Sequence, residues 1–384
     1  MFDYKKYKIV YCTPALYMAG GVERVLTLKA NYFAEYFGYD VTIILTEGKG
    51  KPLFYPLSDK VKVINLDVNF EYLWTCSFLK KLIVYLRKQC IYKKRLTVEL
   101  MRIKPDITVS LLRREINFIS HICDGSKKIG ELHVNRANYR NFEKNDTNFI
   151  KNLFASFWMK SLVKHLRRLD KFVVLTEEDR LQWGELSNVV VIPDPLSFPI
   201  DKYSPLFSKR VIAVGRYVYQ KGFDLLLKAW SMVEKQYSDW ELTIYGQGER
   251  KPYEKIIDDL KIDRQRCHLY GATNEIKQEF LDSSIFAFCS RFEGFGMVLV
   301  EAMSCGLPLV AFDCPCGPRE IISNNEDGFL VENGNVEMFA SALSKLMSDK
   351  SLRSRMSEMG RKNVERFCIG NVGRSWKTLF DGLL

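Results

Sequence analysis

Two glutamates, Glu293 and Glu301, stand eight residues apart in SRFEGFGMVLVEAMSCGLPLVAF (290–312), a stretch otherwise rich in apolar residues and glycine. IFAFCS reads as a strand, RFEGFG as a loop and MVLVEAMSC as a helix that Gly306 stops. A strand–loop–helix unit turns the free N–H groups and the positive dipole end of its helix toward an anion. Gly294 and Gly296 let the backbone approach a phosphate closely. Glu293, in the loop, can accept hydrogen bonds from hydroxyls beside that phosphate. Glu301, just over a turn into the helix, can reach a vicinal diol such as a ribose. The plainer reading makes Glu301 a solvated helix residue. Val298, Leu299, Val300, Ala302 and Met303 around it weaken that reading, because an acid in so apolar a segment needs a partner.

A second cluster lies in AVGRYVYQKGFDLLLKAW (213–230), where Gly215 and Arg216 end a strand and Lys221 and Gly222 open a helix. Two cations five residues apart in one loop can neutralise a diphosphate together. In ALYMAGGVERVL (15–26), Gly20 and Gly21 precede a helix after the first strand, without the GxGxxG spacing of a dinucleotide fingerprint. YGQGER (245–250) fails the same test. His133 follows a strand in KKIGELHVNRANY (127–139); a lone histidine is more often structural than functional. No D-x-D occurs anywhere, and the acidic TEEDR (176–180) reads as a helix cap on Thr176 and Asp179. CPC (314–316) offers two sulfurs without a second pair, a poor metal site, and the ten cysteines read as reduced thiols. The expectation is a site without metal or cofactor.

These loops need a scaffold. Strand-like runs alternate with helical segments from end to end: 8–14, 40–46, 107–112, 127–132, 171–176 and 188–193, then 209–216, 240–246, 266–271, 285–290 and 307–312. That alternation predicts parallel sheets with helices on both faces. PDPLSFPIDKYSP (193–205), with four prolines, separates the two series. Two doubly wound α/β domains, 1–198 and 199–365, are expected to face each other across a cleft. In open α/β sheets ligands bind at the carboxyl ends of the strands.

Charge divides unevenly. Residues 1–200 hold 32 Lys and Arg against 21 Asp and Glu, and residues 201–384 hold 25 of each, so the whole +11 lies in the first half. LKKLIVYLRKQCIYKKRLTVELMRIK (79–104) has nine basic residues and one acid, and KNLFASFWMKSLVKHLRRLDK (151–171) repeats the pattern with aromatics interleaved. A solvated helix face explains either stretch alone; together they suit an anionic membrane surface. No apolar run approaches the roughly 18 residues of a membrane span. The opening MFDYKKYKIVYCTP reads as a first strand, not an export signal.

AGGVERV, VGRYVYQKG, YGQGE, SRFEGFGMVLVEAMSCGLPLVAFD and CGPREII together resemble, in order and spacing, the motifs of family 4 retaining glycosyltransferases of GT-B fold. The resemblance spans nearly the whole chain. It implies an acceptor-binding first domain, a nucleotide-sugar-binding second domain and a C-terminal helix, about 366–384, that returns to the first. By position, Arg216 and Lys221 resemble the pair that holds the donor diphosphate, and Gly20 and Gly21 the loop that closes over it. Glu301 resembles the ribose-binding acid and Glu293 the acid on the donor sugar. The backbone of Phe295, Gly296, Met297 and Val298 resembles the phosphate-facing turn. His133 resembles a histidine that faces the donor sugar and the reacting centre. Asp194 departs from the pattern, which commonly has asparagine there.

The implied reaction moves a sugar from a UDP-sugar, or a GDP-sugar, to a saccharide or lipid-linked saccharide at the cytoplasmic face of a membrane, in surface polysaccharide synthesis. Two rivals stand beside it. A sugar-nucleotide epimerase of the same fold would release an altered sugar without an acceptor. A basic nucleic-acid-binding protein would bind random oligonucleotides, although no nucleic-acid motif accompanies the charge.

Overall fold

The computed structural model describes residues 6–75, 78–141 and 149–384, with the backbone alone at 74, 75, 78–80, 138, 140, 141 and 149–155. Contacts divide the chain into two units, Met1–Pro195 with Ile369–Leu384, and Leu196–Cys368. The changeover falls inside the proline-rich stretch.

The first unit carries a seven-stranded parallel sheet. Its strands are β1 (Lys8–Thr13), β2 (Asp40–Leu45), β3 (Lys62–Asn65), β4 (Ile107–Ser110), β5 (Lys127–Glu131), β6 (Lys171–Val174) and β7 (Val189–Val191), in the order β3-β2-β1-β4-β5-β6-β7. KIVYCT and DVTIIL are buried along nearly their whole length, as strands covered on both faces must be. Alternation then sorts their side chains. Val10, Cys12 and Ile44 pack on one face with Tyr92, Leu96 and Leu100 of the Phe78–Ile103 helix. Ile9, Tyr11 and Ile43 pack on the other with Phe33, Val372, Trp376 and Phe380. The last three belong to the C-terminal helix Ile369–Asp381, which therefore completes the first unit's core. A Cβ at Gly373 would sit 2.4 Å from the Tyr32 ring, so glycine allows that helix its close approach to Gly21–Glu35.

The second unit has six parallel strands: β8 (Arg210–Val214), β9 (Glu241–Tyr245), β10 (Cys267–Tyr270), β11 (Ile285–Phe288), β12 (Leu309–Asp313) and β13 (Gly328–Glu332). Their order is β10-β9-β8-β11-β12-β13. Trp230, Leu226 and Phe339 pack with Val211, Leu242 and Phe312 in its core.

Both sheets reverse their winding once. The chain runs outward from β1 to β3 and then crosses to β4 on the far side of β1; it runs outward from β8 to β10 and then crosses to β11 on the far side of β8. At each reversal two loops leave neighbouring strands in opposite directions. The β1 and β8 loops, with Gly20–Gly21 and Arg216–Lys221, and the β11 loop, with Glu293, lie at these points. The strand pattern alone does not reveal this, because sheet order is a long-range property.

Candidate active site

In the second unit the loops after β8 and β11 are laced together. The Arg291 backbone N–H donates to the Gln220 carbonyl at 2.8 Å, and the Gln220 side-chain amide donates to the Phe292 carbonyl at 3.0 Å. The Arg291 guanidinium grips Asp224 with two bonds, of 2.8 and 2.7 Å, and donates at 2.7 Å to the Tyr219 carbonyl. Lys221 closes the set by donating at 2.5 Å to Glu293, with both side chains largely buried. Planar, bidentate arginine contacts of this kind fix geometry as well as charge. The two sequence clusters are therefore one site. Arg291, Asp224 and Gln220 went unremarked in the sequence because their partners are about 70 residues away.

Glycine is needed where backbones meet. Gly222 has φ +63°, and a Cβ there would come within 2.0 Å of the Cys289 carbonyl oxygen. At Gly246, in the YGQGE motif, a Cβ would lie 1.7 Å from the Gly215 carbonyl oxygen. This second motif thus supports the Arg216 loop from behind by close backbone approach. Arg216 itself is exposed.

The helix Met297–Ser304 starts at Gly296, whose φ of +97° turns the chain into it. Its first-turn N–H groups, beginning with those of Met297 and Val298, point back toward the loop of Glu293, Gly294 and Phe295. Phe295 is buried, and a Cβ on Gly317 of the CGPREII motif would meet its carbonyl oxygen at 1.9 Å. Glu301, 8% exposed, lies on the second turn and accepts a hydrogen bond from the Ser197 hydroxyl. The acid in the apolar helix therefore has a polar partner, supplied by the proline-rich segment.

In the first unit Gly20, in an extended conformation, precedes the helix Gly21–Glu35, and a Cβ on Gly21 would meet nothing within 4 Å. His133 follows β5 and is held between two acids. Its Nδ1 lies 3.2 Å from the Asp194 carboxylate and its Nε2 3.2 Å from Glu131. Glu131, 1% exposed, also forms a buried ion pair with Lys29. Burial by itself would drive Glu131 up, but the charges of Lys29 and His133 override it and hold the carboxyl at about 2. Burial would likewise lower His133, yet Asp194 and then Glu131 raise it to about 9. Sequence reasoning found His133 and remarked on Asp194 but missed Glu131 and Lys29. The available signal was a charge on the apolar face of an element: Glu in KKIGEL, Lys in VLTLKANYF. Thr176 caps its helix as expected, accepting from the Asp179 N–H. No disulfide joins any of the nine described cysteines.

Residues 202–363 match the model of the glycosyl transferases group 1. Over 365 residues, 94% of this chain and 96% of the other, the sequence is 29% identical to an uncharacterized glycosyltransferase of Haemophilus influenzae. It is 26% identical to the amylovoran biosynthesis glycosyltransferase AmsD of Erwinia amylovora, covering 98% of this chain and 100% of that one. Both relatives are named for glycosyl transfer, which leaves epimerisation and nucleic-acid binding without support. The fold is that of Staphylococcus aureus TarM, solved with UDP, at a TM-score of 0.75 and 18% identity over 97% of this chain and 99% of that one. The second unit thus carries a glycosyl transferases group 1 domain, and the chain has the GT-B fold of the solved glycosyltransferases it resembles.

Proposed function

We propose that the protein transfers a sugar, with retention of anomeric configuration, from a UDP-sugar to a hydroxyl of a saccharide or lipid-linked saccharide during synthesis of a surface polysaccharide. A GDP-sugar is the second choice of donor. The observation that carries this reading is the laced pair of loops at the β8/β11 reversal, which gathers Arg216, Lys221, Glu293 and a helix N-terminus at the carboxyl ends of the strands. UDP in TarM and the polysaccharide named for AmsD support the donor and product classes.

In the proposed step the acceptor oxygen bonds to the anomeric carbon on the face that the diphosphate leaves. The carbon–oxygen bond to the diphosphate breaks, and the hydroxyl proton passes to the departing phosphate oxygen. Negative charge grows on the diphosphate, where Arg216, Lys221 and the N–H groups after Gly296 stabilise it. Glu293, released from Lys221, orients the sugar, and Glu301 holds the ribose. The two cations take the place of a metal. Thermal-shift screening against UDP- and GDP-sugars, followed by transfer assays before and after dialysis against a chelator, tests the whole reading. A donor-dependent rise in melting temperature and chelator-resistant transfer are expected. Failure of every nucleotide sugar to bind would refute the donor site, and activity restored only by added magnesium or manganese would refute metal-free transfer.

The same proposal places the protein peripherally on the cytoplasmic face of a membrane. Among the described residues no helix is long and apolar enough to cross one. Leu82, Ile83 and Leu86 are exposed on the Phe78–Ile103 helix, which also exposes Arg87, Lys93 and Lys94, and Phe157 is exposed on Phe149–Leu166. A groove of about 500 Å³ beside Phe149–Leu166 is lined by Arg136, Lys160, Lys164 and Arg167 among others. Two residues expected at the membrane are engaged elsewhere: Arg95 donates to the Asp67 carbonyl at 2.8 Å, and Trp158 stacks on Tyr139. The side chains of Lys80 and Phe154 lie outside the described residues. Each cation near an anionic surface adds about 1 kcal/mol. Changing Lys93, Lys94, Lys160 and Lys164 to Gln is therefore expected to abolish salt-sensitive co-sedimentation with anionic liposomes. Equal, negligible sedimentation of the unaltered protein with anionic and neutral liposomes would refute membrane association.

A further inference from the structure

The carboxylates on either side of His133 bear on which proton chemistry the first unit can supply. One ring nitrogen faces each acid: Nδ1 lies 3.2 and 3.3 Å from the two oxygens of Asp194, and Nε2 lies 3.2 Å from Oε1 of Glu131. The two contacts are not alike. Nδ1 is hydrogen-bonded to Asp194, whereas Nε2 lacks hydrogen-bond alignment with Glu131 and, like Glu131 Oε2, has no hydrogen-bond partner among the described residues. The His133 side chain is 6% exposed, so water does not replace either contact.

We infer that Asp194 and Glu131 together fix His133 as an imidazolium, so that in transfer it supplies a fixed positive charge and does not act as the base that deprotonates the acceptor. The inference rests on the glycosyltransferase reading for its consequence, but the charge state is a property of the first unit alone. A doubly protonated ring has two donors and no lone pair. Asp194 is then a positioning residue: it anchors Nδ1 and sets the ring plane, with Nε2 turned to Glu131. An asparagine at 194 can accept the same hydrogen bond but supplies no charge. The departure from the family pattern noted in the sequence therefore acquires a chemical meaning.

The surrounding groups agree. Lys29, from the first helix, neutralises Glu131, and the ammonium lies 4.5 Å from the centre of the Trp376 ring. Tyr11 of β1 is fully buried, and burial together with the Glu131 charge keeps its phenol neutral. Two carboxylates against one ammonium leave one negative charge, which one imidazolium balances. The same direction follows from the raised histidine, held at about 9. One ligand atom from each of Glu131, His133 and Asp194 also falls within 4.8 Å of the others, a spacing that an ion could share. With Lys29 and the His133 imidazolium both cationic, the two carboxylates need no further cation.

The first arm of the test needs no knowledge of the acceptor. Nitrogen-15 chemical shifts of the labelled histidine rings, with His133 assigned by its loss in His133→Gln, are recorded from pH 5.5 to 9.5. Both His133 nitrogens are expected to keep their protons past pH 8, and in Asp194→Asn the titration is expected to move down by a unit or more. With the donor found by thermal shift, kcat/KM of the unaltered protein is expected to hold level from pH 6 to 8. In Asp194→Asn, a histidine near its ordinary pKa of about 6.5 would lose roughly 20- to 30-fold of its charged form over that range, and kcat/KM is expected to fall with it. A neutral His133 at pH 7.5 in the unaltered protein overturns the inference, as does an Asp194→Asn profile parallel to the original. Stoichiometric bound metal, released in parallel with a downward shift of His133, would assign the three groups to an ion instead. Loss of donor binding alone, with the imidazolium intact, would count against the glycosyltransferase reading and not against the charge state.

Discussion

Arg216→Ala is expected to slow glycosyl transfer by about 30- to 1,000-fold while leaving the fold intact. The magnitude follows from removing one charge-assisted contact to a leaving group, about 2–4 kcal/mol of transition-state stabilisation. Arg216 is exposed. Surface substitutions of that sort usually change stability by no more than about 0.5 kcal/mol. Its loss is therefore to be read in kcat, with the melting temperature unchanged. Lys221→Ala is expected to cost a similar factor, with a different signature. Lys221 holds Glu293 at 2.5 Å, so its removal also frees the acid that is to orient the sugar. Glu301→Ala is expected to act mainly on donor binding, since a ribose contact is made equally in ground and transition states. Steady-state kinetics with a saturable donor separate the three. Near-original turnover in all of them would remove the donor site from the β8 and β11 loops.

How legible this site was in the sequence depended on how far each partner lies along the chain. The phosphate-facing turn was readable because Glu293, Gly296 and Glu301 fall within nine residues, and a helix start with its glycine is a local signal. The eleven strand-like runs likewise correspond to eleven of the thirteen strands, most of them apolar runs buried along the strand, such as KIVYCT and DVTIIL. β3 and β13 were not anticipated. KVIN is a half-exposed edge strand of four residues, and GFLVE follows the turn-forming NNED, so neither has the long apolar run of a central strand. The lacing of the two loops was invisible for a different reason. Arg291 and Asp224 look like ordinary surface charges until the crossover from β10 to β11 brings them together. Glu131, Lys29 and Asp194 illustrate the same limit: each is a single charge among apolar neighbours, and only the sheet order makes them a network.

That network carries the largest expected effect on stability. Lys29→Met is expected to destabilise the protein by about 3–5 kcal/mol, because it strands the Glu131 carboxylate in the interior. Both side chains are 1% exposed, so water cannot make good the loss. The exposed pair Lys62–Asp40 serves as the contrast, with side chains 65% and 40% exposed; breaking it is expected to cost no more than about 1 kcal/mol. Acid dependence follows from the sign of the Glu131 shift. A carboxyl held at about 2 in the folded state contributes its full stability above the ordinary value near 4.5 and loses it as the pH falls toward 2. In Lys29→Met that contribution shrinks, so the variant is expected to gain relative stability on mild acidification, as Glu131 takes up a proton. Urea unfolding at pH 7 and pH 4.5 reads this directly. Pairing Lys29→Met with Glu131→Leu then separates stability from chemistry. With both charges gone, the cost is expected to fall well below the sum of the two single substitutions, as coupling within a buried pair requires. His133 nevertheless keeps only Asp194, and its titration is expected to move toward neutrality in the same protein. Additive costs in that cycle would mean that Lys29 and Glu131 do not act as a pair.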